Sequence, residues 1–321
     1  MKAVDNDKLA NYLGQRITAE HLNTRLNREQ RRDNWFETHD SVWRNLKTMR
    51  FWTRVALWGT GMRRRGQRNA LALRLTHNSI ECSERLQRFK GLQILHISDL
   101  HIDANPGYGE VMARTIEGVN ADVTMITGDF RARSFGSTAK TLQMMEELAP
   151  SIPNINGHCY AILGNHDPLS LVPELEGMGM TCLVNETTVM PTKDGQLVIS
   201  GVDDPHFYKT HNLEACQLPA NVSAVDSTID QMHILLAHTP RLIAEASELG
   251  FDLYLTGHLH GGQMCWPNGK PLHPRLTAPR RFQKGAWQEK GMEGYTSSGS
   301  GTSIVDARFF CPPEVTLHTF V

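Results

Sequence analysis

Five short stretches of this chain end an apolar run with side chains that hold metals or move protons. "LQILHISDLHID" carries Asp99 and His101, and "DVTMITGDF" carries Asp129. "HCYAILGNHD" carries Asn165, His166 and Asp167, "HILLAHTP" carries His238, and "LYLTGHLHGG" carries His258 and His260. Each fragment alone has a plainer reading: a helix cap beside a surface histidine, a Gly-Asp turn, a polar turn, a hydrogen-bonded core histidine. A buried strand has no structural reason to end in His, Asp or Asn five times over. Ligand sites of open α/β sheets lie at the carboxyl ends of strands, where all five clusters fall. The donor set mixes imidazole, carboxylate and one neutral amide. It suits Mn²⁺, Fe or Zn²⁺ better than Mg²⁺ or Ca²⁺, which prefer all-oxygen shells.

The elements that position these residues read as short strands alternating with helices from Leu71 onward. Residues 92–98, 122–127, 158–163, 233–238 and 252–257 are apolar runs of strand length. "GEVMARTIEGVN" and "KTLQMMEELAP" have helical spacing between the first three. Residues 182–204 predict a hairpin turning at Asp194-Gly195, and "EVTLHTFV" predicts a closing strand. Alternation of this kind specifies a layered α/β domain. Past the strand 252–257 an extended backbone is expected to point His258 and His260 the same way.

Charge divides the chain. Residues 1–68 hold 15 Lys/Arg against 7 Asp/Glu, whereas 69–321 hold 18 against 27. The basic part has few glycines and no proline, and reads as a helical extension (1–68) on the main domain (69–321). Within it, Trp43, Leu46, Phe51, Trp52, Val55, Leu57 and Trp58 mix with Arg44, Lys47, Arg50 and Arg54, and Arg63–Arg65 follow. This pattern suits an interfacial amphipathic helix on an anionic membrane surface via 43–65. Docking on the main domain or on a second subunit is the alternative; a nucleic-acid partner is not favoured. As an anchor, the extension is expected to be dispensable for turnover of a soluble substrate. The six cysteines form no C-x-x-C pair, the start lacks an apolar signal region, and no apolar run is long enough to span a bilayer. These features predict a cytoplasmic protein, peripheral to the inner face of the membrane.

The ordered set D-x-H, G-D, G-N-H-D, H and G-H-x-H, from Asp99 to His260, resembles the calcineurin-like metallophosphoesterase superfamily. The resemblance runs from about residue 71 to the end and leaves out the first 65. "GVDDP", "GHLHGGQ" and the late Gly299–Glu314 segment are similar to bacterial UDP-2,3-diacylglucosamine pyrophosphatases and related membrane-associated phosphoesterases. The resemblance implies an αββα sandwich and two divalent ions, Mn first, Fe or Zn next. Asp99, His101 and His260 would hold one ion, Asn165, His238 and His258 the other, and Asp129 would bridge both. A hydroxide shared by the ions would attack a phosphodiester or pyrophosphate, with the phosphoryl oxygens clamped between them. His166 would face the leaving group or a phosphate oxygen, and Asp167 would orient that imidazole or sit behind it. A degenerate scaffold of the same fold typically loses ligands; all seven are present here.

Substrate determinants are less specific. Arg131 and Arg133 are candidates for a second phosphate, or for local ion pairs. "GVDDPHFYKTHNL" supplies Asp203, His206, Tyr208 and His211, with Asp203 either orienting a loop or acting at the site. His96, inside a strand, reads as a core residue. The proline-rich run with Trp266, Arg275, Arg280 and Arg281 reads as a lid. The expected substrate is a lipid-linked nucleotide such as UDP-2,3-diacylglucosamine, with a soluble nucleotide or cyclic nucleotide as the alternative.

Overall fold

A computed structural model of the chain describes residues 6–38, 40–155, 157–216, 230–272 and 278–321. It opens with helices α1 (Asn6–Leu13), α2 (Ala19–Thr38), α3 (Asp40–Gly59) and α4 (Arg63–Ala70). The strands that follow are β1 (Arg74–Ile80), β2 (Gln93–Ile97), β3 (Val123–Ile126), β4 (Cys159–Ala161), β5 (Thr181–Cys182) and β6 (Glu186–Pro191). The remaining strands are β7 (Gln196–Gly201), β8 (Gln231–Leu236), β9 (Leu253–Thr256), β10 (Gly285–Glu289), β11 (Met292–Thr296) and β12 (Glu314–Phe320). Two six-stranded sheets result, ordered β1-β12-β2-β3-β4-β5 and β10-β11-β9-β8-β7-β6.

The inner faces of the sheets share one apolar core, in which Ile94, Met125 and Ile162 meet Leu197, Ile199, Ile234 and Leu255. Helices α5 (Tyr108–Ile116), α6 (Ala139–Leu148) and α7 (Val172–Gly177) bury Met112, Ile116, Met145 and Leu175 on the outer face of the first sheet. Helix α8 (Ile243–Glu248) covers the second with Ile243 and Ala246. The order of layers is therefore α, β, β, α. It follows from strands that are apolar on both faces and so need cover on both.

The predicted hairpin closes as expected, with Pro191 paired to Gln196 and the Thr192 N–H donating to the Gly195 carbonyl at 2.8 Å. Strands β1, β10 and β11 carry no clear sequence signal. β1 (RLTHNSI) is a partly exposed edge strand held parallel to β12, so partnership rather than patterning makes it a strand. β10 and β11 turn through Lys290 and Gly291, both at positive φ (48° and 85°), the backbone that primed hairpin turns need.

The N-terminal helices pack on the layers. Leu9, Leu13, Ile17 and Leu22 join the outer core of the first sheet. Arg16 forms ion pairs with Glu176 at 2.8 Å and Glu186 at 2.9 Å. In α3, Leu57 is buried with Val305, Ala307 and Phe309, whereas Phe51, Trp52, Val55 and Trp58 are exposed. The side chains of Trp43, Arg44, Leu46, Lys47 and Arg50, part of the expected amphipathic pattern, lie outside the described residues, as does Arg275 of the expected lid. Among the described residues, no helix is long and apolar enough to cross a membrane.

Candidate metal centre

Strands β2, β3, β4, β8 and β9 sit side by side in their sheets, and the loops leaving their carboxyl ends converge. The ligand atoms of Asp99, His101 and His260 all lie within 4.8 Å of one another, and so do those of Asp129, His238 and His258. His260 Nε2 is 3.3 Å from Asp99 Oδ1, and His238 Nε2 is 3.3 Å from Asp129 Oδ2. Asn165 Oδ1 lies 3.2 Å from His238 Nε2. All seven residues are buried. Positions up to 161 residues apart in sequence thus form two adjoining groups, joined by a third and overlapping one of His101, Asp129 and His166, in which His101 approaches Asp129 at 3.7 Å.

Five of the seven occupy the left-handed backbone region: Asp99, His101, Asp129, His258 and His260, with φ between 41° and 69°. Side chains other than glycine avoid this region at a cost of order 1–3 kcal/mol each, and such strain gathers at functional sites. The finding corrects the extended path expected past β9. His258 and His260 sit at φ 69° and 51° in a turn, and that turn sends them to different groups.

The carboxylates are held by main-chain donors of the other motifs. The His258 N–H donates to Asp99 Oδ2 at 2.9 Å, and the His166 N–H donates to Asp129 Oδ1 at 2.8 Å. Glycine is required where these loops press on the acids. A Cβ on Gly164 would fall 2.2 Å from Asp129 Oδ1, and one on Gly257 would fall 1.9 Å from Ser98 Oγ.

The donor set fits divalent metal ions. His101 Nδ1–H donates to the Arg131 carbonyl at 2.8 Å and His238 Nδ1–H to the Thr127 carbonyl at 2.7 Å. These bonds fix the tautomer that turns each Nε2 lone pair inward, as in metal-binding histidines. Inward lone pairs facing carboxylate oxygens repel unless a cation lies between them. The electrostatics agree. Burial opposes charge on His238, yet Asp129 and then Asp99 outweigh it and push the imidazole up to about 10. Burial likewise works against an ionised Asp129, but His238 and His166 hold it well below the usual carboxylate range. The acids demand a positive charge among the imidazoles, which a proton or a divalent ion provides.

His166 stands at the rim of both groups, its Nε2 3.9 Å from Asp129 Oδ2. Its Nδ1 donates to the Ala132 carbonyl at 3.0 Å, so Asp167 is not what orients the ring. Asp167 lies behind it instead. It accepts the main-chain N–H groups of Gly164, Phe130 and Arg131 at 2.9, 3.2 and 3.3 Å, tying the second motif loop to the third. Burial pushes the His166 imidazole down to about 3, so the ring is neutral.

The candidate substrate residues divide. The guanidinium of Arg131 donates to main-chain carbonyls of His166, Ser134 and Gly136, the last two at 3.0 Å, contacts that fit the local one of its two readings. Arg133 is exposed on the same loop. Asp203 pairs with Arg25 at 3.0 Å and His21 at 3.1 Å, and Tyr208 is buried with its hydroxyl on Arg32. Both residues brace the loop after β7, the loop-orienting role that was one of the two readings of Asp203. His206 of this loop approaches the centre, its ring centroid 4.5 Å from that of His258. His96 is a core residue as expected, with Nε2 2.9 Å from Thr127 Oγ1.

Sequence reading missed Arg308. It is fully buried, and its Nη2 donates to the carbonyls of Ser298, Gly299 and Gly301 and approaches His260 Nδ1 at 3.3 Å. The late segment had supplied only a local wording; nothing in it ties residue 308 to residue 260. Arg25 and Arg32 of α2 were also missed, because they lie outside the motif-bearing part of the chain.

Comparisons with known proteins agree with this geometry. The calcineurin-like phosphoesterase model matches residues 92–262. The uncharacterized metallophosphoesterase YkoQ of Bacillus subtilis is 30% identical over 79% of this chain and 93% of its own length. The phosphodiesterase YaeI of Escherichia coli is 28% identical over 71% of this chain and 82% of its own. The UDP-2,3-diacylglucosamine pyrophosphatase LpxG of Chlamydia trachomatis is 22% identical over 76% and 88%. With its motifs gathered into two metal-ready groups on a double-sheet frame, the chain belongs to the calcineurin-like phosphoesterases, a family of metal-dependent hydrolases.

Proposed function

We propose that the chain hydrolyses a phosphodiester or pyrophosphate bond in a lipid-linked nucleotide such as UDP-2,3-diacylglucosamine, giving UMP and a lipid monophosphate. The observation that carries the chemistry is the meeting of two groups of potential ligands around Asp129, with His166 at their rim. In this reading Asp99, His101 and His260 hold one ion, Asn165, His238 and His258 the other, and Asp129 both. The mixed imidazole, carboxylate and amide donors suit Mn²⁺, Fe or Zn²⁺, of which Mn²⁺ is the ion proposed here. Two such ions, when bound, supply Lewis acidity and an activated water. The chain's own residues do the rest. The main-chain donors on Asp99 and Asp129 fix the acids, and the Arg131 and Thr127 carbonyls fix the imidazoles. An anionic phosphate against the His166 ring would raise its proton affinity, so that Nε2 takes up a proton from solvent when substrate binds and passes it to the leaving oxygen as the P–O bond breaks.

The lipid assignment rests on the surface. Phe51, Trp52, Val55 and Trp58 project from α3, near the exposed Arg63, Arg64 and Arg65. The loop beneath Leu57 exposes Ile304 and Phe310, both at positive φ (64° and 51°), an unfavourable backbone for displaying apolar side chains to water. This combination fits an anionic membrane surface at its cytoplasmic face. The activity named for the LpxG relatives supports the same substrate class.

The test is turnover with Mn²⁺ of UDP-2,3-diacylglucosamine beside bis(p-nitrophenyl) phosphate and cyclic AMP, with metal content measured on the same sample. Preference for the lipid nucleotide is expected. Turnover of the model diester alone would sink the lipid assignment and leave the phosphoesterase chemistry.

A further inference from the structure

The matched family region begins at residue 92, yet helix α2, far upstream of it, grips the loop that carries Asn165 and His166. Arg32 donates from Nη1 to the Asn165 carbonyl. Arg25 donates from Nη2 to the Asp167 carbonyl at 2.9 Å, and Glu29 accepts the Leu169 N–H at 2.9 Å. Residues 25, 29 and 32 share one helix face, and they take alternate groups along residues 165–169.

The same face holds the loop after β7. Arg25 is fully buried and pairs with Asp203 at 3.0 Å and Glu29 at 2.6 Å. Its guanidinium carbon lies 3.3 Å from the centre of the Tyr208 ring, and that of Arg32 lies 5.1 Å from it. Asp204 accepts the main-chain N–H groups of His206, Phe207 and Tyr208 at 3.0, 2.6 and 2.6 Å, which fixes the turn presenting His206 to His258. Helix α2 is therefore wedged between two loops that both reach the metal centre. Burying an arginine is costly unless it is paired, and both draw partners from those loops. Arg25 takes Asp167 and Asp203, and Arg32, through Nη1, takes the Asn165 carbonyl and the Tyr208 hydroxyl, while its Nε is left without a hydrogen-bond partner among the described residues.

We propose that α2 is part of the catalytic unit, with Arg25 and Arg32 as positioning residues that set the main-chain path of Asn165-His166-Asp167. This rests on the proposed roles of Asn165 as a ligand and His166 at the leaving group. It reverses the expectation that the extension is dispensable for turnover of a soluble substrate. A displacement of about 1 Å at a reacting group can lower a rate by about 10²-fold, so a clamp on this loop acts on chemistry more than on substrate binding.

The test uses the full chain and its Arg32→Ala and Arg32→Lys variants, compared by Mn²⁺ titration calorimetry, thermal melting and hydrolysis of bis(p-nitrophenyl) phosphate. Arg32→Ala should bind its first Mn²⁺ as the parent does and its second about 10- to 100-fold more weakly, the usual effect of losing a residue that supports a ligand. At saturating Mn²⁺, kcat should fall about 10- to 100-fold with KM nearly unchanged. Arg32→Lys should recover part of both losses. Parent-like second-ion affinity and kcat would overturn the proposal, as would equal weakening of both ions. If Arg32→Ala does not fold, Arg32→Lys carries the test under the same criteria. If the parent binds two Mn²⁺ but hydrolyses no diester, the phosphoesterase reading fails on its own while the affinities still decide the role of Arg32.

Discussion

The main-chain N–H of His258 donates to Asp99 Oδ2 at 2.9 Å, while the imidazole of the same residue sits with Asp129 and His238 in the other group. One residue thus braces the first group through its backbone and completes the second through its side chain. His258→Ala keeps the brace and removes the imidazole. Metal analysis of that variant should find about one ion per chain in place of two, retained at Asp99, His101 and His260. His260→Ala should lose the opposite ion first. Identical loss profiles in the two variants would show that the pair acts as one ligand unit.

His166 offers a cleaner separation of metal from chemistry. Its main-chain N–H holds Asp129, and its side chain stands at the rim with Nε2 3.9 Å from the nearer carboxylate oxygen. His166→Ala should keep both ions while turnover falls roughly 10²–10⁴-fold. Steady-state kinetics with metal content on the same sample checks this, and unchanged turnover removes His166 from the mechanism.

Gly257 is constrained by space. A Cβ there would lie 1.9 Å from Ser98 Oγ and 2.3 Å from Asp99 Oδ2, both fully buried. Gly257→Ala should destabilise the fold by about 1–3 kcal/mol and displace Asp99, weakening the first ion more than the second. Urea unfolding and metal titration measure the two effects. A variant with parental stability and affinity would mean that the β9 loop has slack not apparent in its packing.

Legibility in the sequence followed how local each signal was. β2, β3, β8 and β9 are apolar runs ending in polar ligands, so both the element and its cargo were readable. The strain at Asp99, His101, Asp129, His258 and His260 was not, because a positive φ is imposed by what the loop must reach and not by the residue itself. β1 is a strand because β12 lies beside it, a contact across 240 residues between Asn78 and His318 with no short-range pattern. Arg131 was legible only as an alternative between phosphate and local contacts, and the three main-chain carbonyls that it reaches could not be read from its position beside Asp129. Arg25, Arg32 and Arg308 each reach backbone carbonyls, which leave no trace in residue identity, and the side-chain partners of Arg25 and Arg32 on the β7 loop lie 178 and 176 residues away.

The pH dependence of stability turns on a pair of histidines away from the metal centre. His96 and His318 stack between the sheets at 5.7 Å, both fully buried. Burial pushes His318 down to about 3, and burial, then His318, pushes His96 well below its ordinary value. Both are therefore neutral in the fold. Below pH about 6.5 the unfolded chain takes up protons that the folded chain refuses until about pH 3. Since stability rises with pH wherever the unfolded state binds more protons, the pair's contribution is complete above about pH 6.5 and falls as pH descends toward 3. Removing one titrating group should flatten that fall. Between pH 6.5 and 5 the parent should lose roughly 1.6 kcal/mol more than His318→Gln, since the slope climbs toward about 1.4 kcal/mol per unit per group as the unfolded imidazole fills with protons. Urea unfolding at the two pH values measures the difference directly, and it is independent of any offset the substitution imposes at neutral pH. Equal losses in parent and variant would mean that His318 accepts its proton in the fold.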